Sequence, residues 1–266
     1  MSKLARVLGR VIVWGTVVGT LVYLWTPLVI DFVMSLEPGS LLRFPTTGVS
    51  LRWYAFLFTN PIFLAGMQVS FSLAIISAIM ATVLAIPSSM AFVRYNFRGK
   101  GFLTTLFTAP LATPAVVIGV ALLYFFSMLN FGYSFGNLLI GHLLLTFPYA
   151  LRTVTATMFG FDTSLEEASM NLGANVLETF QKITLPIISP AIIASFIFAI
   201  AVSLDDVGVS FFLVSPQTQT LNIALLGYWR WSLDPTVGAA SAFLIIIGVA
   251  LTVIAERVVG LDRFLF

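Results

Sequence analysis

An all-α integral membrane protein is predicted by three features of this sequence: 59% of its 266 residues are hydrophobic, only 9% are charged, and the mean hydropathy is +1.03. Soluble domains carry about 25% charged residues. The apolar runs are also long and unbroken, whereas the strands of a membrane β-barrel would alternate over about ten residues. Scattered through these runs are 12 Pro and 19 Gly. Membrane helices tolerate them because neighbouring helices re-satisfy the freed backbone groups. The absence of Cys excludes disulfides, thiol nucleophiles and Cys-type zinc sites. The net charge of +2 and pI near 9.0 do not point to nucleic acid, because the basic residues are few and lie at the ends of apolar segments, where they act as orientation signals.

At about 20 apolar residues per crossing, six spans are predicted, at 11–33, 62–92, 102–128, 136–158, 187–214 and 236–255. Six crossings place both termini on one side. Lys3, Arg6, Arg10, Arg94, Arg98, Lys100, Arg152, Lys182, Arg257 and Arg263 fall on that side, ten against Arg43, Arg52 and Arg230 on the other. By the positive-inside rule the termini are cytoplasmic. The first run, "VIVWGTVVGTLVYLWTPLVI", is long for a signal peptide and no A-x-A-like cleavage site follows it, so it is expected to remain as a helix. Gly15 and Gly19 form a G-x-x-x-G in this run, a spacing that permits close helix contact. On the outer side, Trp53, Tyr54, Tyr228, Trp229 and Trp231 fall at predicted span boundaries. There their amphipathic rings read as interface anchors, with ligand stacking as the alternative.

One long segment breaks the apolar pattern. Residues 166–186, "EEASMNLGANVLETFQKITLP", are polar and helix-prone, and the orientation places the 160–186 connection inside the cell. Ser164 with Glu167, or Thr163 with Glu166, fits a capping box. Gly173 is placed to supply the left-handed residue that ends a short first helix. Val176, Leu177, Phe180 and Ile183 then recur at helical spacing. This second piece is expected to lie along the membrane surface until Leu185 and Pro186 redirect the chain into the fifth span. On these grounds alone the segment is either a structured connection or a docking element.

Glu167, Ala168 and Ser169, followed by Gly173 and then by Ile183, Leu185 and Pro186, resemble the "EAA" signature of binding-protein-dependent ABC importer permeases, E-A-A-x3-G-x9-I-x-L-P. Every position matches except that Ser169 replaces the second Ala, a small-for-small change. The resemblance implies a type I ABC importer permease, a single domain over 1–266, in which 160–186 is a coupling loop that docks on a separate ATPase subunit. The coupling residues it implies are Glu166, Glu167, Ala168, Ser169, Gly173, Ile183, Leu185 and Pro186. Glu167 would pair with a basic ATPase residue or cap its own helix. The implied partners are two ABC ATPase subunits that carry the ATP and Mg, a second homologous permease or a copy of this chain, and an extracytoplasmic solute-binding protein. That binding protein would meet the loops near 34–60, 128–135 and 214–235. The implied setting is a bacterial inner membrane. In agreement, the chain has no phosphate-binding loop: Gly99-Lys100 is followed by Gly101 and lacks a Gly five residues earlier.

Asp205 and Asp206 are the most costly residues in the apolar runs, because an unpaired buried carboxylate costs several kcal/mol. At about 1.5 Å per residue they lie about 27 to 30 Å beyond Pro186, toward the outer boundary. Either they line the pathway or outer gate and favour a cation, or neighbouring groups satisfy them. Adjacent helical positions point about 100° apart, so one of the two is expected to face the pathway. "SLDDVGVSFFLVSP", taken with the EAA segment, is similar to the second permease of spermidine/putrescine-type importers. Other solutes of that wider group remain alternatives, namely phosphonates, ferric iron, thiamine and opine-like or amino-acid-like compounds. His142, the sole His, lies in the fourth span, where one imidazole without partners suits helix packing better than a metal. An intramembrane enzyme would have to use Asp205 and Asp206, which cannot face each other from one helix.

Overall fold

The computed structural model describes residues 3–259, with side chains over 9–258, so Arg263 lies outside the described residues. Two compact units are formed, one from 3–61 with 225–247 and the other from 62–224 with 248–259.

The first unit begins with α1 (Lys3–Met34), whose apolar stretch has no buried residue, and no atom lies within 4 Å of a Cβ built at Gly15 or Gly19. After α1 the chain folds over Glu37. The Glu37 carboxylate accepts from the N–H of Gly39 at 3.0 Å, the N–H of Thr47 at 2.7 Å and the hydroxyl of Thr47 at 2.5 Å. The short helix α2 (Arg52–Leu57) packs Trp53 and Leu57 inward, and the Trp53 indole N–H donates to the Glu37 carbonyl at 2.8 Å. The interface-anchor reading of Trp53 is therefore corrected: its polar atom is used by the fold and not by headgroups. Trp229 and Trp231 do remain exposed.

The second unit contains α3 (Pro61–Arg94), α4 (Lys100–Ala112), α5 (Ala115–Met128), α6 (Phe135–Phe159), α7 (Ser164–Asn171), α8 (Val176–Thr179), α9 (Leu185–Asp205) and α10 (Ser210–Leu213). Helix α11 (Leu221–Trp229) and helix α12 (Thr236–Val259) contribute residues to both units. The buried face of α3 is built from small residues, Ser70, Ala74, Ser77, Ala78, Ala81, Ala85 and Ser89, a spacing that lets other helices approach its backbone. Their hydroxyls are shared across helices: Ser89 with the Leu151 carbonyl at 3.3 Å and with Thr155 at 3.0 Å, and Ser195 with Thr82 at 3.4 Å. Phe92, Leu151, Val154, Met158 and Ile188 complete this part of the core.

Among the described residues, five helices are long and apolar enough to cross a membrane, at Gly9–Met34, Pro61–Arg94, Phe135–Phe159, Val176–Asp205 and Thr236–Val258. The third expected span is different. Helices α4 and α5 meet at a 112° bend, which makes six spans if the pair is counted as one. Pro114 is the cause. A residue before proline is pushed out of the helical region, and Thr113 is extended, with φ −103° and ψ 128°.

A second correction concerns the run into α9. The chain is not redirected at Leu185 and Pro186, because Val176–Asp205 is one continuous helix. Proline inside a helix clashes with the carbonyl four residues back. Here the turn ahead of it, Phe180–Thr184, is widened to π-helical pitch, so that the Leu185 N–H bonds the Phe180 carbonyl. Such one-turn π segments concentrate at functional sites.

Candidate functional site

Two places combine polar chemistry with an interrupted helix, the 160–186 connection and the end of α9. In the connection, neither expected capping box forms at the start of α7. Thr163 is helical and makes no side-chain cap, and the Asp162 carboxylate accepts the Ser164 N–H at 3.0 Å instead. Bonds from the Ser164 hydroxyl and N–H hold the Asp162 carboxyl below its ordinary value. The capping box lies one helix later. Asn175 Oδ1 accepts the Glu178 N–H at 2.9 Å, and Glu178 Oε2 accepts the Asn175 N–H at 3.0 Å. The sequence carried this signal as N-V-L-E, since Asn serves as a cap as readily as Ser.

Between the two helices, Gly173 has φ +94°. The Ala174 N–H bonds the Ser169 carbonyl at 3.2 Å and the Gly173 N–H bonds the Met170 carbonyl at 3.0 Å, the paired contacts of a Schellman ending. Ser169, the departure from the EAA pattern, links α7 to α8 through the Thr179 hydroxyl at 3.1 Å, a bond an Ala would lack.

The two glutamates separate. Glu167 and Ala168 are exposed, and Glu167 has no side-chain partner among the described residues. Glu166 is buried, and one of its oxygens accepts from Arg94 Nη2 at 2.6 Å and from the Thr184 hydroxyl. Its carboxylate is thus committed within the chain. Around Glu167 the surface is apolar: Leu165, Met170, Leu172, Val176 and Leu177 are all exposed, Leu172 at 89%. Ile183 and Leu185 are half-buried at the start of the α9 run, and Pro186 is exposed.

At the other site, α9 stops at Asp205 instead of continuing to residue 214, and Asp206 is extended. The buried Asp206 carboxylate accepts the Val209 N–H at 3.2 Å, the Ser210 N–H at 2.8 Å and the Ser210 hydroxyl at 2.9 Å, which starts α10. His142 on α6 clamps this break. Its Nδ1 lies 2.8 Å from the Ser203 hydroxyl on α9 and its Nε2 lies 2.9 Å from the Ser210 hydroxyl on α10. One set of directions satisfies every member: Ser203 donates to Nδ1, Nε2–H donates to Ser210, and Ser210 donates to Asp206. His142 therefore packs helices, as the sequence suggested, but through a network with Asp206 that its position alone did not reveal. Gly208 is required here, since a Cβ would lie 2.7 Å from that of Ala115.

Asp205 differs in exposure and bonding. It is exposed, has no hydrogen-bond partner among the described residues, and lines a cavity of about 350 Å³ with Pro110, Thr113, Tyr149 and Val202, a cavity that the buried and hydrogen-bonded Asp206 also borders. The broken α4–α5 pair and the end of α9 meet at this cavity. Irregular backbone within an apolar helical bundle is tolerated where it lines a wet cavity, and paired helix breaks mark solute sites in transporters. Among the described residues no group of three or more His, Asp or Glu is placed to hold a metal ion.

Residues 81–261 match the family model described as "Binding-protein-dependent transport system inner membrane component". The chain is 30% identical over 256 residues to the spermidine/putrescine transport system permease protein PotC of Escherichia coli K12, covering 96% of each protein. It is 30% identical over 230 residues to the putrescine transport system permease protein PotI of the same strain, covering 84% of this chain and 82% of that one. The fold matches a chain in the crystal structure of a bacterial ABC transporter involved in alginate import, with a TM-score of 0.68 at 15% identity over 99% of both chains. Taken with the EAA positions and the two interrupted helices, the match over most of its length shows that this chain belongs to the family of binding-protein-dependent transport system inner membrane components.

Proposed function

We propose that this chain moves a small cationic solute of the polyamine kind past Asp205, and that its 160–186 connection receives the ATPase whose closure drives the step. Family membership makes the chain the multi-pass inner-membrane permease of an ABC importer, a transport subunit that works with ATPase and binding-protein partners. The carrying observation for the solute is that Asp205 is the free carboxylate at the cavity while Asp206 is consumed by the fold. A single unneutralised carboxylate favours an ammonium group by charge complementarity. The names of the two relatives, both polyamine permeases, support the same class.

For coupling, the exposed apolar side chains Leu172, Val176 and Leu177 beside Glu167 and Ala168 form the kind of polar-rimmed patch that marks a protein interface. Gly173 fixes the turn between its two helices, Ser169 ties them, and Ile183, Leu185 and Pro186 carry the movement into α9. ATP and Mg reside on the two ATPase subunits. A second, related permease completes the membrane part, and the uncovered α1 with its open Gly15 and Gly19 suits contact with it. In this reading the termini and the connection are cytoplasmic, and the whole of 1–266 is one permease domain.

The test is purification of the tagged chain with its partners, followed by ligand screening of the binding protein that belongs to the complex. A diamine or longer polyamine bound by that protein is the expected result. Selective binding of an anion or a neutral sugar would overturn the cationic assignment.

A further inference from the structure

We propose that Arg94, Glu166 and Thr184 form a three-way joint that makes α3 and α9 follow the docked α7, so that Arg94 and Glu166 are positioning residues of the transport step. This rests on the reading of the 160–186 connection as the ATPase-docking element. Three elements converge on one carboxylate oxygen. Arg94 is in the last turn of α3, Glu166 is in the first turn of α7, and Thr184 closes the π-helical turn from which α9 continues.

The route to α9 is also covalent, through α8 and the π turn. α3 is otherwise reached only indirectly, through its packing on α6 and α9 at Ser89 and Thr82, whereas Arg94, 72 residues from Glu166 in sequence, touches α7 itself. A displacement of α7 therefore reaches α3 directly through this side-chain contact. Side-chain exposures of 22% for Arg94 and 11% for Glu166 place the pair where water screens it weakly, so its geometry is held firmly. Arg94 also lies over the Phe161 ring at 5.7 Å, which fixes the guanidinium from the side of the connection. Its buried Nε has no hydrogen-bond partner among the described residues. The guanidinium thus keeps a donor unused in this arrangement, available for a second arrangement in which the pair becomes bidentate.

The experiment compares R94Q, E166Q and T184V in the complete transporter reconstituted in vesicles with its binding protein, scoring ATPase recovery and solute transported per ATP hydrolysed. T184V preserves shape and removes only the hydroxyl, so it is the variant least exposed to misfolding. The expected result is that the ATPase copurifies with each variant while transport per ATP falls about two- to thirtyfold, the range of mutations along a coupling route. R94Q with E166Q together should be no worse than the poorer single variant, since both break the same contact. Unchanged transport per ATP in all three would overturn the joint while leaving the docking reading intact. Loss of the ATPase from T184V would also overturn it, because the contact would then serve docking and not transmission. Retention of the ATPase after obstruction of the docking patch by G173W would instead remove the docking reading itself.

Discussion

Replacing Gly173 with tryptophan is expected to abolish uptake while leaving the chain inserted in the membrane. The residue sits at φ +94°, where a Cβ meets the following carbonyl at a cost of about 1–2 kcal/mol. No atom lies within 4 Å of a Cβ at this position, so the isolated chain has room for a side chain and the penalty on its own folding is only the backbone term. The larger effect comes at the surface. An indole here would stand between Leu172 and Val176, inside the patch assigned to the ATPase, and a 1 Å misfit at a packed interface is not absorbed elsewhere. Asparagine tolerates the left-handed region and is small. G173N should therefore keep most of the activity that G173W loses. Uptake by intact cells at matched membrane levels checks both. Equal, normal uptake by G173W would remove Gly173 from the coupling machinery.

The second large effect separates two adjacent carboxylates. Asp205→Asn should reduce apparent affinity for a cationic solute about ten- to hundredfold, the value of one charge-assisted contact of about 1.5–3 kcal/mol, with the amount of folded protein unchanged. Asp206→Asn should act differently. That carboxylate takes three hydrogen bonds from Val209 and Ser210 and stands 3.6 Å from His142. An amide can keep only some of these acceptor roles and turns a donor toward the Ser210 N–H. Leaving a buried polar group unpaired costs about 1–3 kcal/mol. The expected outcome is less folded protein and a lower thermal midpoint in detergent, with the apparent affinity of the remaining protein near normal. Similar affinity losses in both variants, at equal folded amounts, would contradict the assignment of separate roles.

The helical membrane fold and the family signature at the EAA positions were legible in the sequence because each rests on local pattern. Hydropathy over 20 residues needs no tertiary information, and the left-handed turn at Gly173 is written in the residue type. What escaped was set by distant contacts or by a competing local signal. Trp53 reads as an interface anchor until the Glu37 carbonyl is seen to take its N–H. The motif begins at Glu167, and nothing local marks the preceding Glu166 as buried; only Arg94, 72 residues earlier, and Thr184 hold it inward. The clamp formed by His142 joins residues 61 and 68 positions away. Two errors had readable causes. The Thr113-Pro114 pair was a sufficient warning of a break in the third span, and Asn175 with Glu178 was a better capping box than either hydroxyl pair near 163.

The claim that the 160–186 connection receives the ATPase is tested most directly by site-specific cross-linking. The chain has no Cys, so L172C introduces a unique thiol at the 89%-exposed centre of the proposed docking patch. In the purified complex, a short thiol-reactive photo-cross-linker on residue 172 should capture the ATPase subunit, and the same reagent on W231C, also 89% exposed but beyond α11, should not. Capture of the ATPase from residue 231 and not from residue 172 would contradict the account at its centre.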